Sequence, residues 1–148
     1  MAKPFALQPV LELMQDRADE ATQLLAKLIA SERDANAKLE MLRQYRDEYA
    51  ARFRAAGQNG LTQREWRNYQ DFLDRLDEAI VAQAQAVSVQ AQKTLAGQAN
   101  WQQQRRRLEA FNTLSDRHFA GQETARVRRE QKTQDEFSAR SKDRKESD

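Results

Sequence analysis

Steps of three and four residues, taken alternately from Leu11, visit Leu11, Met14, Ala18, Ala21, Leu25, Leu28, Glu32, Ala35, Leu39, Leu42, Arg46, Tyr49, Phe53 and Ala56. Glu32 and Arg46 apart, each of these is apolar or, as at Tyr49, amphipathic. An apolar residue every 3.5 positions keeps one stripe of a helix turned toward a partner helix, which is the coiled-coil pattern. Pro9 suits the first helical turn, where its missing N–H has no intrahelical role. The spacing predicts a helix over about residues 9–57.

The pattern stops at "AAGQNGLTQREW". Gly57 is expected in the left-handed conformation that ends a helix, and Asn59-Gly60 supplies turn residues. Thr62 then reads as an N-cap with Glu65 three residues on, a capping box, and Leu61 and Trp66 stand at hydrophobic-staple positions. The prediction is a turn over 58–61, a second helix from 62, and hence an antiparallel hairpin. Tyr69, Leu73, Leu76, Ile80 and Val87 open the second seam regularly. An Ala/Gln-rich stretch follows, with a stuttered seam through Ala84, Ala91, Leu95 and Trp101, before Leu108, Phe111 and Leu114 or Ser115 restore it. Folded about residues 59 and 60, residue i faces roughly 119 − i, which sets Trp101 against Ala18 and Ala21. Residues 1–121 form the hairpin in this reading, with no first helix left to pair beyond about residue 110. The charged segment 122–148 is a frayed helix or a disordered end.

Composition agrees with a thin fold. Of 148 residues 39% are hydrophobic and 32% charged, with a mean hydropathy of −0.98. That is too little apolar material for a thick core but enough for one stripe. The fold class expected is all-α, a long antiparallel two-helix coiled coil. The chain has no cysteine, which excludes disulfides and thiolate chemistry. No stretch approaches the ~20 apolar residues of a membrane span, and no secretory leader opens the chain. The expectation is a cytosolic protein with no direct membrane insertion. A balance of 25 basic and 23 acidic residues argues against nucleic acid as the partner.

Candidate chemistry is sparse. No phosphate-binding glycine loop occurs. His118, the single histidine, reads as a surface or seam residue. The pairs Asp47/Glu48 and Asp77/Glu78 diverge around a helix as neighbours in sequence do, and two helices enclose no water-excluding pocket. No catalytic residue, metal or cofactor is expected, and the chain is read as a non-enzyme. The basic clusters "QQQRRRLEAF" and "ARVRREQK" read mostly as solvated helix face.

Tyr45 and Tyr49 lie one turn apart. Tyr49 falls on the seam and Tyr45 beside it, while Phe72 is pushed to the flank of a second seam already filled by Leu73, Leu76 and Ile80. The residues alone leave two readings open. Either the rings form an exposed patch for a protein partner, or they cover a seam widened by Arg46.

Taken in order, "LEMLRQYRDEY", the turn followed by "WRNYQDFLDRLDEAI", "LEAFNTLSDRH" and a tail with "QKTQDEF" resemble the flagellar export protein FliJ family over nearly the whole chain. The resemblance implies a component of the flagellar type III export apparatus, built like the central stalk of rotary ATPases and monomeric when free. Its implied partners are the hexameric export ATPase, whose ring assembly it promotes, the cytoplasmic domain of the export gate, and empty export chaperones. The implied localisation is cytoplasmic, peripheral to the membrane at the flagellar base. The gate-binding patch carries over by position to Leu42, Tyr45, Tyr49, Phe72, Leu76 and Ala79. Lys38 and Gln83 depart from the Gln and His of the family pattern. The ATPase-binding end falls at roughly Leu7 to Leu25 against Trp101 to His118, represented by Leu7, Leu11, Met14, Trp101, Leu108 and Phe111. The alternatives are a general coiled-coil adaptor that dimerises through its stripe, or a non-flagellar type III secretion stalk.

Overall fold

The computed structural model describes residues 3–147. Two helices make up the fold: α1, Gln8–Gln58, of 51 residues, and α2, Gln63–Ser147, of 85. The chain is an all-α helical hairpin. The segment from Gln122, for which the sequence left a frayed helix or disorder open, continues α2 as a solvent-exposed helix.

The connection follows from its residues. Thr62 Oγ1 accepts the Glu65 N–H at 3.2 Å, the N-cap bond that satisfies one otherwise orphaned donor. At the other end α1 runs through Gly57, and Gly60 adopts the positive φ of 89°. The expected left-handed glycine is therefore Gly60, not Gly57. Asn59 N–H and Gly60 N–H bond back to the carbonyls of Ala56 and Gly57, so the last turn tightens before the chain reverses.

By its contacts the chain divides into two compact units, Glu20–Gln102 and Met1–Asp19 with Gln103–Asp148. In the first, here the hairpin unit, every α1 seam position from Ala21 to Ala56 is buried or half-buried, Glu32 and Arg46 included. Arg46 holds its place by pairing with Asp77, Nε to Oδ1 at 3.0 Å. Leu39 and Leu73 are the best-covered leucines. Among the described residues no large side chain is fully buried, as expected when a core is only two helices thick.

The α2 seam runs on without a break: Tyr69, Leu73, Leu76, Ile80, Gln83, Val87, Gln90, Thr94, Gly97 and Trp101 are covered in steps of four and three, and Ala84 and Ala91 are half-buried beside them. Leu95 lies outside it, 66% exposed. Polar members are tolerated because they bond across the seam. Gln83 Nε2 donates to the Ala35 carbonyl at 3.0 Å, Thr94 Oγ1 to the Leu28 carbonyl at 3.3 Å, and Trp101 Nε1 to Thr22 Oγ1 at 2.9 Å. A buried donor left without a partner would cost about 1–3 kcal/mol. Gly97 is buried under Leu28 so closely that a Cβ would overlap Leu28 Cδ1.

The register runs from the expected 119 − i to a few residues beyond it: Tyr49 meets Tyr69 and Phe72, and Phe53 meets Trp66 and Tyr69. The Trp101 indole N–H donates to Thr22, the neighbour in sequence of the buried Ala21.

In the second, terminal unit, Met14, Ala18 and Ser115 are buried, and Leu11, Leu108, Phe111 and His118 are half-buried. Pairing does not stop near residue 110. Residues ahead of α1 extend it: Phe5 is buried against the His118 ring at 5.4 Å. The Lys3 carbonyl accepts from His118 Nε2 at 3.1 Å and from Gln122 Nε2.

Candidate partner-binding surfaces

Of the chain's eleven aromatic residues, six gather at the turn end of the hairpin unit. On α1 they recur every four residues, Tyr45, Tyr49 and Phe53; on α2 every three, Trp66, Tyr69 and Phe72. Rows of both spacings are the natural ridges of a helix surface and pack across one another. Tyr49 touches Phe72 at 4.3 Å and Tyr69 at 5.3 Å between ring centroids, and Phe53 touches Tyr69 at 5.3 Å and Trp66 at 6.4 Å. All four pairs are tilted, which keeps ring edges near neighbouring faces. Interior members are half-buried, but the band ends in the open: Tyr45 is 56%, Phe72 41% and Trp66 49% exposed.

Of the residues expected for gate binding, Tyr49 and Phe72 are in direct contact. Leu42, Leu76 and Ala79 are half-buried in the same unit, and Tyr45 is exposed. Gln83 belongs to the seam, its amide engaged by Ala35, whereas Lys38 is exposed. The sequence reading placed Phe53 and Tyr69 only as seam residues and Trp66 only as a staple. The three-residue spacing Trp66-Tyr69-Phe72, set beside the four-residue spacing on α1, is the signal that links them.

The six residues expected at the ATPase-binding end separate. Trp101 belongs to the hairpin unit and the others to the terminal unit. Met14 is buried, and Leu11, Leu108 and Phe111 are half-buried, so their apolar surface is largely spent on the seam; only Leu7 is exposed. The outward apolar residues of this unit are Leu7, Leu13, Leu114, Phe119, Val127 and Phe137. Beyond Phe119 the surface is charged. Arg126 bridges Glu123 at 2.6 Å and Glu130 at 2.9 Å, and its hydrogen bond and charge hold the Glu123 carboxyl below the ordinary glutamate value.

Among the described residues no group of three or more His, Cys, Asp or Glu could hold a metal ion, and no helix is long and apolar enough to cross a membrane. The arrangement exposes two kinds of surface, one aromatic, the other charged.

The family described as "Flagellar FliJ protein" matches residues 3–147. The chain is 32% identical to the flagellar FliJ protein of Salmonella typhi and 31% identical to that of Escherichia coli K12, in each case over 98% of this chain and 99% of the relative. Among solved structures it is similar to CT670 of Chlamydia trachomatis, a proposed YscO homologue. That match has a TM-score of 0.54 and 18% identity, over 92% of this chain and 93% of the other, a likeness of fold alone. Neither curated relative is named for an enzymatic activity. A match along almost the entire length, with two relatives above 30% identity, makes this chain a member of the flagellar FliJ protein family.

Proposed function

We propose that the chain is a non-enzymatic stalk of the flagellar type III export apparatus. In this reading it binds the hexameric export ATPase and promotes ring assembly and turnover. It links that ATPase to the cytoplasmic domain of the export gate, and it handles empty export chaperones. It works at the cytoplasmic face of the membrane at the flagellar base.

The observation that supports the reading is the exposure of Tyr45, one helical turn before Tyr49, and of Phe72, packed on Tyr49. Large rings held open on a rigid, otherwise polar surface lose little entropy on binding and bury much area, the character of interface hot spots. The two residues also occupy the positions at which the family resemblance puts gate contact.

The test is calorimetric titration of the gate's cytoplasmic domain with wild-type chain and with Tyr45→Ala/Phe72→Ala. Loss of binding with helicity intact supports the proposal; unchanged binding overturns the assignment of the patch.

A further inference from the structure

The aromatic band does not end at the flank where Tyr45 and Phe72 stand. Through Tyr49, Tyr69 and Phe53 it crosses the seam and reaches Trp66, 49% exposed in the first turn of α2. Trp66 lies on one side of an uneven charge distribution. From Tyr49 to Gln70 the sequence carries four arginines, Arg52, Arg54, Arg64 and Arg67, against one glutamate, Glu65, a net of +3. From Asp71 to Ala79 it carries three aspartates and one glutamate against Arg75, a net of −3.

All four arginines of this segment are exposed. Among the described residues none of them is in an ion pair, whereas Arg46 and Arg126 are both held by carboxylates. Unpaired guanidinium groups in the same turn-end segment as an exposed indole keep their donor forks and their charge available for carboxylates arriving from outside.

We infer that Trp66, with Arg64 and Arg67 on its own helix turn, is a second anchor of the partner-binding surface, and that it docks an acidic protein surface. The inference rests on the proposed gate contact at Tyr45 and Phe72, and extends it to the turn end of the hairpin. Charge complementarity selects the occupant. A partner spanning the whole band must present carboxylates beside Trp66 and basic or neutral groups beside Asp71 and Asp74, Asp77 being already paired with Arg46. This two-signed requirement suits a folded protein. A uniformly anionic lipid surface would meet the acidic belt with repulsion.

The experiment uses the full chain, wild type and three variants: Trp66→Ala, Arg64→Gln/Arg67→Gln and Tyr45→Ala/Phe72→Ala. The probe is the cytoplasmic domain of the cognate gate protein, titrated at low and at moderate salt. A parallel arm uses vesicles of phosphatidylglycerol and phosphatidylethanolamine. Trp66→Ala is expected to weaken gate binding about tenfold, as loss of a tryptophan anchor does. The arginine pair is expected to weaken it several-fold and to flatten its salt dependence, because screening acts on what those charges supply. The arginine variant touches none of the ring contacts, so its effect is not one of unfolding.

Gate binding unchanged in both Trp66→Ala and the arginine variant, but lost in Tyr45→Ala/Phe72→Ala, overturns the second anchor and leaves the first standing. Binding unchanged in all three overturns both. Vesicle binding that disappears in the arginine variant while gate binding persists also overturns the inference, and reassigns the basic surface to lipid.

Discussion

Tyr49 packs on Phe72 with ring centroids 4.3 Å apart and the planes tilted by 49°, an interhelical contact made by one half-buried ring and one exposed one. Its asymmetry separates stability from binding. Tyr49 also meets Tyr69, so Tyr49→Ala removes two ring contacts and opens a gap, and is expected to cost about 2–3 kcal/mol in urea unfolding. Tyr45→Ala, at a ring 56% exposed, is expected to stay within about 0.5 kcal/mol of wild type. Equal losses at the two positions would mean that Tyr45 is part of the core.

Gly97 sets two effects against each other. Alanine there gains about 1 kcal/mol of helix propensity, but its Cβ overlaps Leu28 Cδ1, which must rotate away. Gly97→Ala is therefore expected to change stability by less than about 1 kcal/mol, and Gly97→Leu to lose about 2 kcal/mol or more by overpacking. In a Leu28→Ala background, Gly97→Ala should become stabilising. A double-mutant cycle with no coupling between the two sites would refute the close approach.

In the terminal unit, core and surface can be told apart by the same logic. Met14→Ala is expected to lower the unfolding free energy by about 2 kcal/mol or more, since Met14 is only 7% exposed. Leu7→Ser and Phe119→Ser, at exposed positions, should leave stability nearly unchanged. If this unit engages the ATPase, these two and not Met14 should diminish ATPase stimulation at constant helicity.

Acid should loosen the charged part of α2. Arg126 lowers the pKa of Glu123 in the folded helix, so this interaction contributes fully above the ordinary glutamate range. It is lost as pH falls through the depressed folded value. Backbone carbon chemical shifts around residues 120–130 should report a loss of helix on acidification. Arg126→Gln should lower the starting helicity and shrink the pH response. An unchanged response in that variant would show that other carboxyls govern it.

The α1 seam was legible because fourteen positions keep one spacing, and the structure covers even Glu32 and Arg46. The α2 seam was not, because apolarity and burial part company there. Gln83, Thr94 and Gly97 hold seam positions through cross-helix hydrogen bonds or a missing side chain, while Val81 and Leu95 stand outside, 70% and 66% exposed. A pattern that scores hydrophobicity follows Leu95; the helix geometry follows Gly97. The same limit separates the two candidate surfaces. Tyr45 and Phe72 were found by counting rings against the room a seam provides. Met14, Leu108 and Phe111 were placed at a binding end by position, and the structure covers them wholly or in part.

ATP turnover by the cognate export ATPase, titrated with this chain at concentrations where the ring is incompletely assembled, tests the stalk reading most directly. The account predicts stimulation that saturates near one chain per hexamer. Unchanged turnover with the chain folded and monomeric would contradict it, and would leave the helical hairpin without a role at the ATPase.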